Sequence, residues 1–192
     1  MAMKIAQAGG KVLAWGREFC APLKNASAIE RTRWAILTVV FSMASFGAMY
    51  LFAVNWSIGI DLQRSKCLPG TLFLIDKKNP VPVRDSIFAF RVMSAEPVLK
   101  NGTKLAKYVR GVPGDTISIT QDEKILINGK LVAEGMPHLH GLNPKKMDKF
   151  FGTRTLAEGE YWMMGTAYMS FDSRYYGPVR IEQFEGKAYV VF

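Results

Sequence analysis

The chain has 192 residues, is 49% hydrophobic and carries a formal net charge of +9. That is enough for one ordinary domain with a real core plus something extra. The basic excess is not gathered into runs interleaved with aromatics, so no nucleic-acid partner is expected.

The first element explains part of the charge. Lys4, Lys11, Arg17, Lys24, Arg31 and Arg33 stand against only Glu18 and Glu30 before position 34, and no charged residue occurs from Trp34 to Ile60. As a helix, WAILTVVFSMASFGAMYLFAV (34–54) would be about 31 Å long, close to the thickness of a bilayer's hydrocarbon core. A secretory signal peptide has a shorter apolar region, about 7–15 residues, behind a shorter charged start. The expected layout is a basic cytoplasmic tail over 1–33, a retained transmembrane anchor over 34–56 and an exported domain over 57–192. Positive flanks stay in the cytoplasm, which for a bacterial chain puts the exported domain in the periplasm behind a single inner-membrane span.

In this topology Cys20 and Cys67 lie on opposite sides of the membrane and cannot bridge each other. Cys67 then invites a functional explanation, with a buried inert thiol or an intermolecular disulfide as alternatives.

Beyond the anchor the pattern becomes short strands. TLFLID (71–76), SIFAFRV (86–92), LAKYVRGV (105–112), DTISIT (115–120), KILINGKLV (124–132), EYWMMGT (160–166) and KAYVVF (187–192) are rich in β-branched and aromatic residues. Asn128-Gly129 between apolar pairs predicts a two-residue hairpin. One short helix is predicted over 143–152, and the fold class is mainly β. His138 and His140 alternate as on a strand, but no carboxylate or cysteine set accompanies them; ordinary surface placement is expected and no metal.

Three segments carry candidate chemistry: SKCLPG (65–70), KYVRGVPGD (107–115) and SFDSRYYGPV (170–179). In an extended segment Ser65 and Cys67 point to one side, so the Ser65 hydroxyl and the Cys67 backbone N–H could both face a reacting carbonyl. A lysine serves as general base only in its neutral form, which apolar surroundings favour, and Leu105, Tyr108 and Val109 are available around Lys107. Asp172 and Arg174, two apart, would share a strand face and could pair, and Ser170 could orient an amine by hydrogen bonding.

The order and spacing of these segments resemble the type I signal peptidase family of membrane-anchored Ser/Lys proteases. That family has a nucleophile near a proline after the transmembrane segment, then K-x-x-x-G-x-P-G-D, then S-x-D-S-R-Y-x-G; the matches here are Cys67-Leu68-Pro69, Lys107 to Asp115 and Ser170 to Gly177. The resemblance implies a signal-peptidase-like β domain, Lys107 as general base, Ser170 as its hydrogen-bonding support and Asp172–Arg174 as a structural ion pair. It also implies Ser65 and the Cys67 amide as oxyanion donors. The nucleophile position falls on Cys67, where the family usually has serine; a shifted loop would make Ser65 the nucleophile instead. A thiol gives up its proton more readily than a hydroxyl and its thiolate is intrinsically nucleophilic, so the exchange is chemically sound.

The stretch MGTAYMSFDSRYYG lacks the usual acidic sequence before the last box, and the compact Cys-Leu-Pro-Gly segment looks more like the conjugative-transfer signal peptidases of the TraF type. The implied partners are an exported preprotein or pro-pilin, the lipid bilayer and other conjugative transfer proteins, with no cofactor. A catalytically reduced scaffold that binds such proteins without cutting them is the alternative.

Overall fold

The computed structural model describes residues 27–61, 66–93, 95–139 and 150–192. The described residues divide into two units, one ending at Leu51 and the other running from Phe52 to Phe192. The expected helix over 143–152 lies largely outside the described residues, as do Cys20, Ser65 and His140; Phe150 sits in a turn and Gly152 begins a strand.

Helix α1 runs Ala28–Asn55, longer at its start than the apolar run alone suggests. Its first turn is closed by a reciprocal cap in which the Ser27 amide donates to Glu30 Oε2 at 2.8 Å and the Glu30 amide donates to Ser27 Oγ at 3.3 Å. Its mean hydropathy reaches 1.9 and none of its residues is buried, so it is long and apolar enough to cross a membrane. The helix stops at Asn55, and Trp56, expected to close the anchor, opens the first strand instead.

The strands are β1 (Trp56–Ile60), β2 (Leu72–Asp76), β3 (Ile87–Val92), β4 (Thr103–Gly111), β5 (Thr116–Ile119), β6 (Lys124–Ile127), β7 (Lys130–Glu134), β8 (Gly152–Thr155), β9 (Glu160–Met164), β10 (Val179–Arg180) and β11 (Phe184–Val190). They form a seven-stranded sheet, β1-β2-β11-β3-β4-β9-β10, and a four-stranded sheet, β7-β6-β5-β8, with antiparallel pairing in both. Strands β1, β8 and β10 have no counterpart among the strands expected from the sequence. β8 reads Gly-Thr-Arg-Thr and is exposed throughout, and β10 is two residues long, so neither carries an alternating apolar signal.

Strand β3 lies between β11 and β4, and Phe88, Ala89, Phe90 and Val92 are buried on both faces. Each phenylalanine removed from water there contributes about 1.5–3 kcal/mol, before the ordering cost of the chain. Asn128 and Gly129 take φ of +52° and +77° in the β6–β7 turn, the left-handed pair that the hairpin signal requires. Strand β4 is the element that matters for the site: Lys107 and Val109 share its inward face, so the backbone that buries Val109 also buries an amine.

Candidate active site

Lys107 sits opposite Phe88 in the β3–β4 ladder and is only 5% exposed. Its Nζ donates to Ser170 Oγ at 3.0 Å, and Ser170 is fully buried. Among the described residues no carboxylate pairs with this amine; its partner is a neutral hydroxyl.

Ser170 opens the segment that leads into the one-turn helix α2 (Ser173–Tyr176). Asp172 is the N-cap of that turn, accepting from the Arg174 amide at 3.3 Å, and its carboxylate also takes Arg174 Nε at 2.8 Å and Nη2 at 3.0 Å. The expected pair therefore forms, but through a helix cap rather than by sharing a strand face. Both side chains are almost wholly buried, at 0% and 2% exposure. Two further guanidinium donors go to Gly135 O and Ser170 O, each at 2.9 Å, and Gly165 N donates to Asp172 Oδ2 at 3.1 Å. Burial alone would lower the Arg174 pKa; the adjoining Asp172 carboxylate outweighs it and raises the value above the ordinary one. Burial drives the phenols of Tyr175 and Tyr176 upward, so both stay protonated.

Cys67 lies in the connection between β1 and β2 and is 8% exposed. Leu68 next to it packs with Phe73, Ile75, Ile87, Ala89 and Ala188, which pins the segment to the seven-stranded sheet. On the other side the Cys67 carbonyl accepts from the Thr166 amide at 2.9 Å and from Thr166 Oγ1 at 3.1 Å.

Gly165 shows how closely the two segments meet. A Cβ built on it would lie 2.8 Å from Ser170 Cβ and 3.1 Å from Cys67 Cβ, and would run into Ser170 Oγ. Cys67, Ser170 and, through Ser170, Lys107 thus face one small volume that only a residue without a side chain can border. Neither Gly165 nor Thr166 was singled out in the sequence; their one signal is that Gly165 follows β9 directly and stands five residues before Ser170.

The expected residues Cys67, Lys107, Ser170, Asp172 and Arg174 are gathered, and Ser65 lies outside the described residues. His138 departs from its expected surface placement. It is half-buried, with its ring edge-on to Phe171 and Tyr175 and its Nε2 2.8 Å from the Met169 carbonyl. Chemically, the arrangement brings together an enclosed amine, a hydroxyl hydrogen-bonded to it and a neighbouring thiol-bearing segment.

Comparison with known proteins gives a family, a curated relative and solved structures that are similar. The profile of the family described as signal peptidase, peptidase S26, matches residues 31–192. Signal peptidase I V of Bacillus subtilis (strain 168) is 35% identical over 91 residues, covering 43% of this chain and 54% of that protein. The chain thus spans about half the length of this curated relative. A crystal structure of a signal peptidase I from Enterococcus faecalis V583 is similar at 28% identity and a TM-score of 0.37, covering 56% of this chain and 96% of that one.

Proposed function

The chain belongs to the signal peptidase family, peptidase S26, and from that premise we propose that it is a membrane-anchored endopeptidase that removes leader peptides from exported preproteins. The observation that carries the reading is the buried 3.0 Å hydrogen bond from Lys107 Nζ to Ser170 Oγ, beside the Cys67 segment. A lysine enclosed in a protein with a neutral hydroxyl as its partner suits a proton carrier better than an ion-pair anchor.

In the proposed reaction Cys67 Sγ attacks the scissile carbonyl carbon while its proton passes to Lys107 Nζ. The Cys67 amide and the Ser65 hydroxyl hold the oxyanion. The tetrahedral adduct then collapses, the C–N bond breaks and Lys107 gives its proton to the leaving amine. Water attacks the thioester carbonyl, Lys107 takes the water proton, and Sγ recovers it as the acid product departs. Ser170 orients the Lys107 amine, and the Asp172–Arg174 pair holds Ser170's segment. The substrate lies extended along the Thr103–Lys107 half of β4; among the described residues, β9 pairs with β4 only from Tyr108 onward.

The proposed layout is a cytoplasmic tail over 1–33, an anchor over 34–56 and a periplasmic catalytic domain over 57–192, supported by the positive flank before the apolar helix. The proposed substrates are pilins or other components of a conjugative transfer (type IV secretion) system. The support for that class is the compact Cys67-Leu68-Pro69-Gly70 segment and the short, non-acidic stretch before Ser170.

The test is processing of a co-expressed pro-pilin in membranes, followed by precursor and product masses, with Cys67→Ala and Cys67→Ser beside the unaltered protein. Cleavage that Cys67→Ala abolishes and Cys67→Ser partly keeps supports the nucleophile assignment. Cleavage that persists in Cys67→Ala moves the nucleophile to Ser65. A cysteine in the usual serine position also favours a second reading, a scaffold that binds such precursors uncut. Co-purification of intact precursor with no product would select it.

A further inference from the structure

We infer that His138 is a positioning residue for the Lys107–Ser170 pair, acting through the backbone before Ser170 and never touching substrate. Only its kinetic readout rests on the proteolytic reading above.

Ser170 is fully buried with Gly165 pressed against it, so a shift of its backbone carries its Oγ away from Lys107. Three backbone groups around it are held. The Ser170 amide donates to Ala167 O at 3.0 Å, the Ser170 carbonyl accepts from Arg174 Nη2 at 2.9 Å, and the Met169 carbonyl faces His138 Nε2 at 2.8 Å. Ala167 and Arg174 belong to the same short segment and would travel with it. His138 does not: it follows β7 in the part of the chain that belongs to the four-stranded sheet.

The stretch Gly135–Leu139 is a fixed frame. Met136 and Leu139 are buried in the core beside Ile117, Ile125 and Trp162. The Gly135 amide donates to Glu123 O at 2.8 Å and the Met136 amide to Glu123 Oε2 at 2.7 Å. From this frame two bonds reach the Ser170 segment, His138 Nε2 to Met169 O and Gly135 O from Arg174 Nη1. The imidazole is set by edge-on contacts with Phe171 and Tyr175, at centroid distances of 5.8 and 5.3 Å, while the His138 amide donates to Tyr175 Oη at 3.3 Å. A nitrogen facing a carbonyl oxygen must carry the hydrogen. The Nε2–H neutral tautomer and the imidazolium both supply it, so the tie holds in either charge state.

The experiment compares the full-length protein with His138→Ala, His138→Asn and His138→Gln in detergent. Gln carries its amide nitrogen out to where Nε2 sits, whereas Asn reaches only the position of Nδ1. The substrate is an internally quenched peptide with a small residue before the scissile bond, and amide hydrogen exchange is read over residues 166–172. The expected result is a kcat lowered about tenfold with unchanged KM in Ala and Asn, and near-complete rescue by Gln. Faster exchange of the Ser170 amide should accompany the loss in Ala and Asn only. Equal activity in all four proteins, or an equal loss in all three variants, overturns the inference. If the unaltered protein cuts nothing, the proteolytic reading fails on its own. Exchange then decides: equal rates in all four proteins overturn the positioning role, and faster exchange in Ala and Asn alone upholds it.

Discussion

Lys107 Nζ and Ser170 Oγ meet at 3.0 Å although 63 positions separate the two residues and both are buried. The meeting is built from two unlike elements: Lys107 is fixed by strand alternation in β4, and Ser170 by the capped turn that begins at Asp172. Neither element alone specifies the contact; it exists because β4 and β9 pair and Ser170 lies just beyond the end of β9.

Lys107→Arg separates charge from proton transfer. Arginine keeps the positive charge and donor capacity but cannot release a proton at working pH. The expected outcome is a folded protein whose cleavage rate falls on the order of a thousandfold, matched by Lys107→Ala. Cleavage of a leader-peptide substrate measures the rate, and circular dichroism checks the fold. Normal processing by either variant would remove Lys107 from the reaction.

Gly165→Ala adds one carbon to the volume shared by Cys67 and Ser170. Because the new Cβ would be 2.8 Å from Ser170 Cβ and 3.1 Å from Cys67 Cβ, one of the two segments must shift. A displacement near 1 Å at reacting groups costs about a hundredfold in rate. Steady-state cleavage should show that loss in kcat, and an unaltered kcat would mean that the segments yield without disturbing the reaction geometry.

The parts legible in the sequence were those with a local signature. The strands carrying Phe88, Lys107 and Trp162 alternate or run apolar, and the Asn128-Gly129 turn demands its own backbone. Lys107, Ser170, Asp172 and Arg174 were named through motif spacing, yet the cap geometry of Asp172 was not, because a one-turn helix has no period to read. Gly165 has no such signature and His138 reads as a surface residue for a related reason: their surroundings depend on which segments the tertiary fold brings against them, a clash in one case and a carbonyl in the other. A histidine pair two residues apart looked like a surface feature, and only packing against Phe171 and Tyr175 says otherwise.

Asp172→Ala leaves the Arg174 guanidinium enclosed with its carboxylate gone. Breaking a buried pair from one side costs about 3–5 kcal/mol, a large part of the stability of an ordinary domain. Denaturant unfolding should show a loss of that size, with loss of activity following from the released Ser170 segment. A loss within about 1 kcal/mol, the size of an exposed pair, would mean that water reaches Arg174 in the variant.

Asp115, the last residue of the K-x-x-x-G-x-P-G-D segment, ties three parts of the fold together and should control acid stability. Its carboxylate accepts from Arg84 Nη2 at 2.9 and 2.7 Å, from the Val112 amide at 2.8 Å and from Asn128 Nδ2 at 2.8 Å. Burial alone would raise its pKa; the Val112 amide, Asn128 and Arg84 together outweigh burial and hold it below the ordinary aspartate value. A depressed folded-state value means that the unfolded chain binds the proton first. The stabilisation is therefore complete above the unfolded value of about 3.9 and disappears as pH falls from there through the folded one. Thermal unfolding of the full-length protein in detergent should lose stability over that acid window. Asp115→Asn, which cannot ionise, should be less stable at neutral pH and lose less on acidification. Parallel pH profiles for the two proteins would show that Asp115 takes up its proton equally in both states and has no part in acid unfolding.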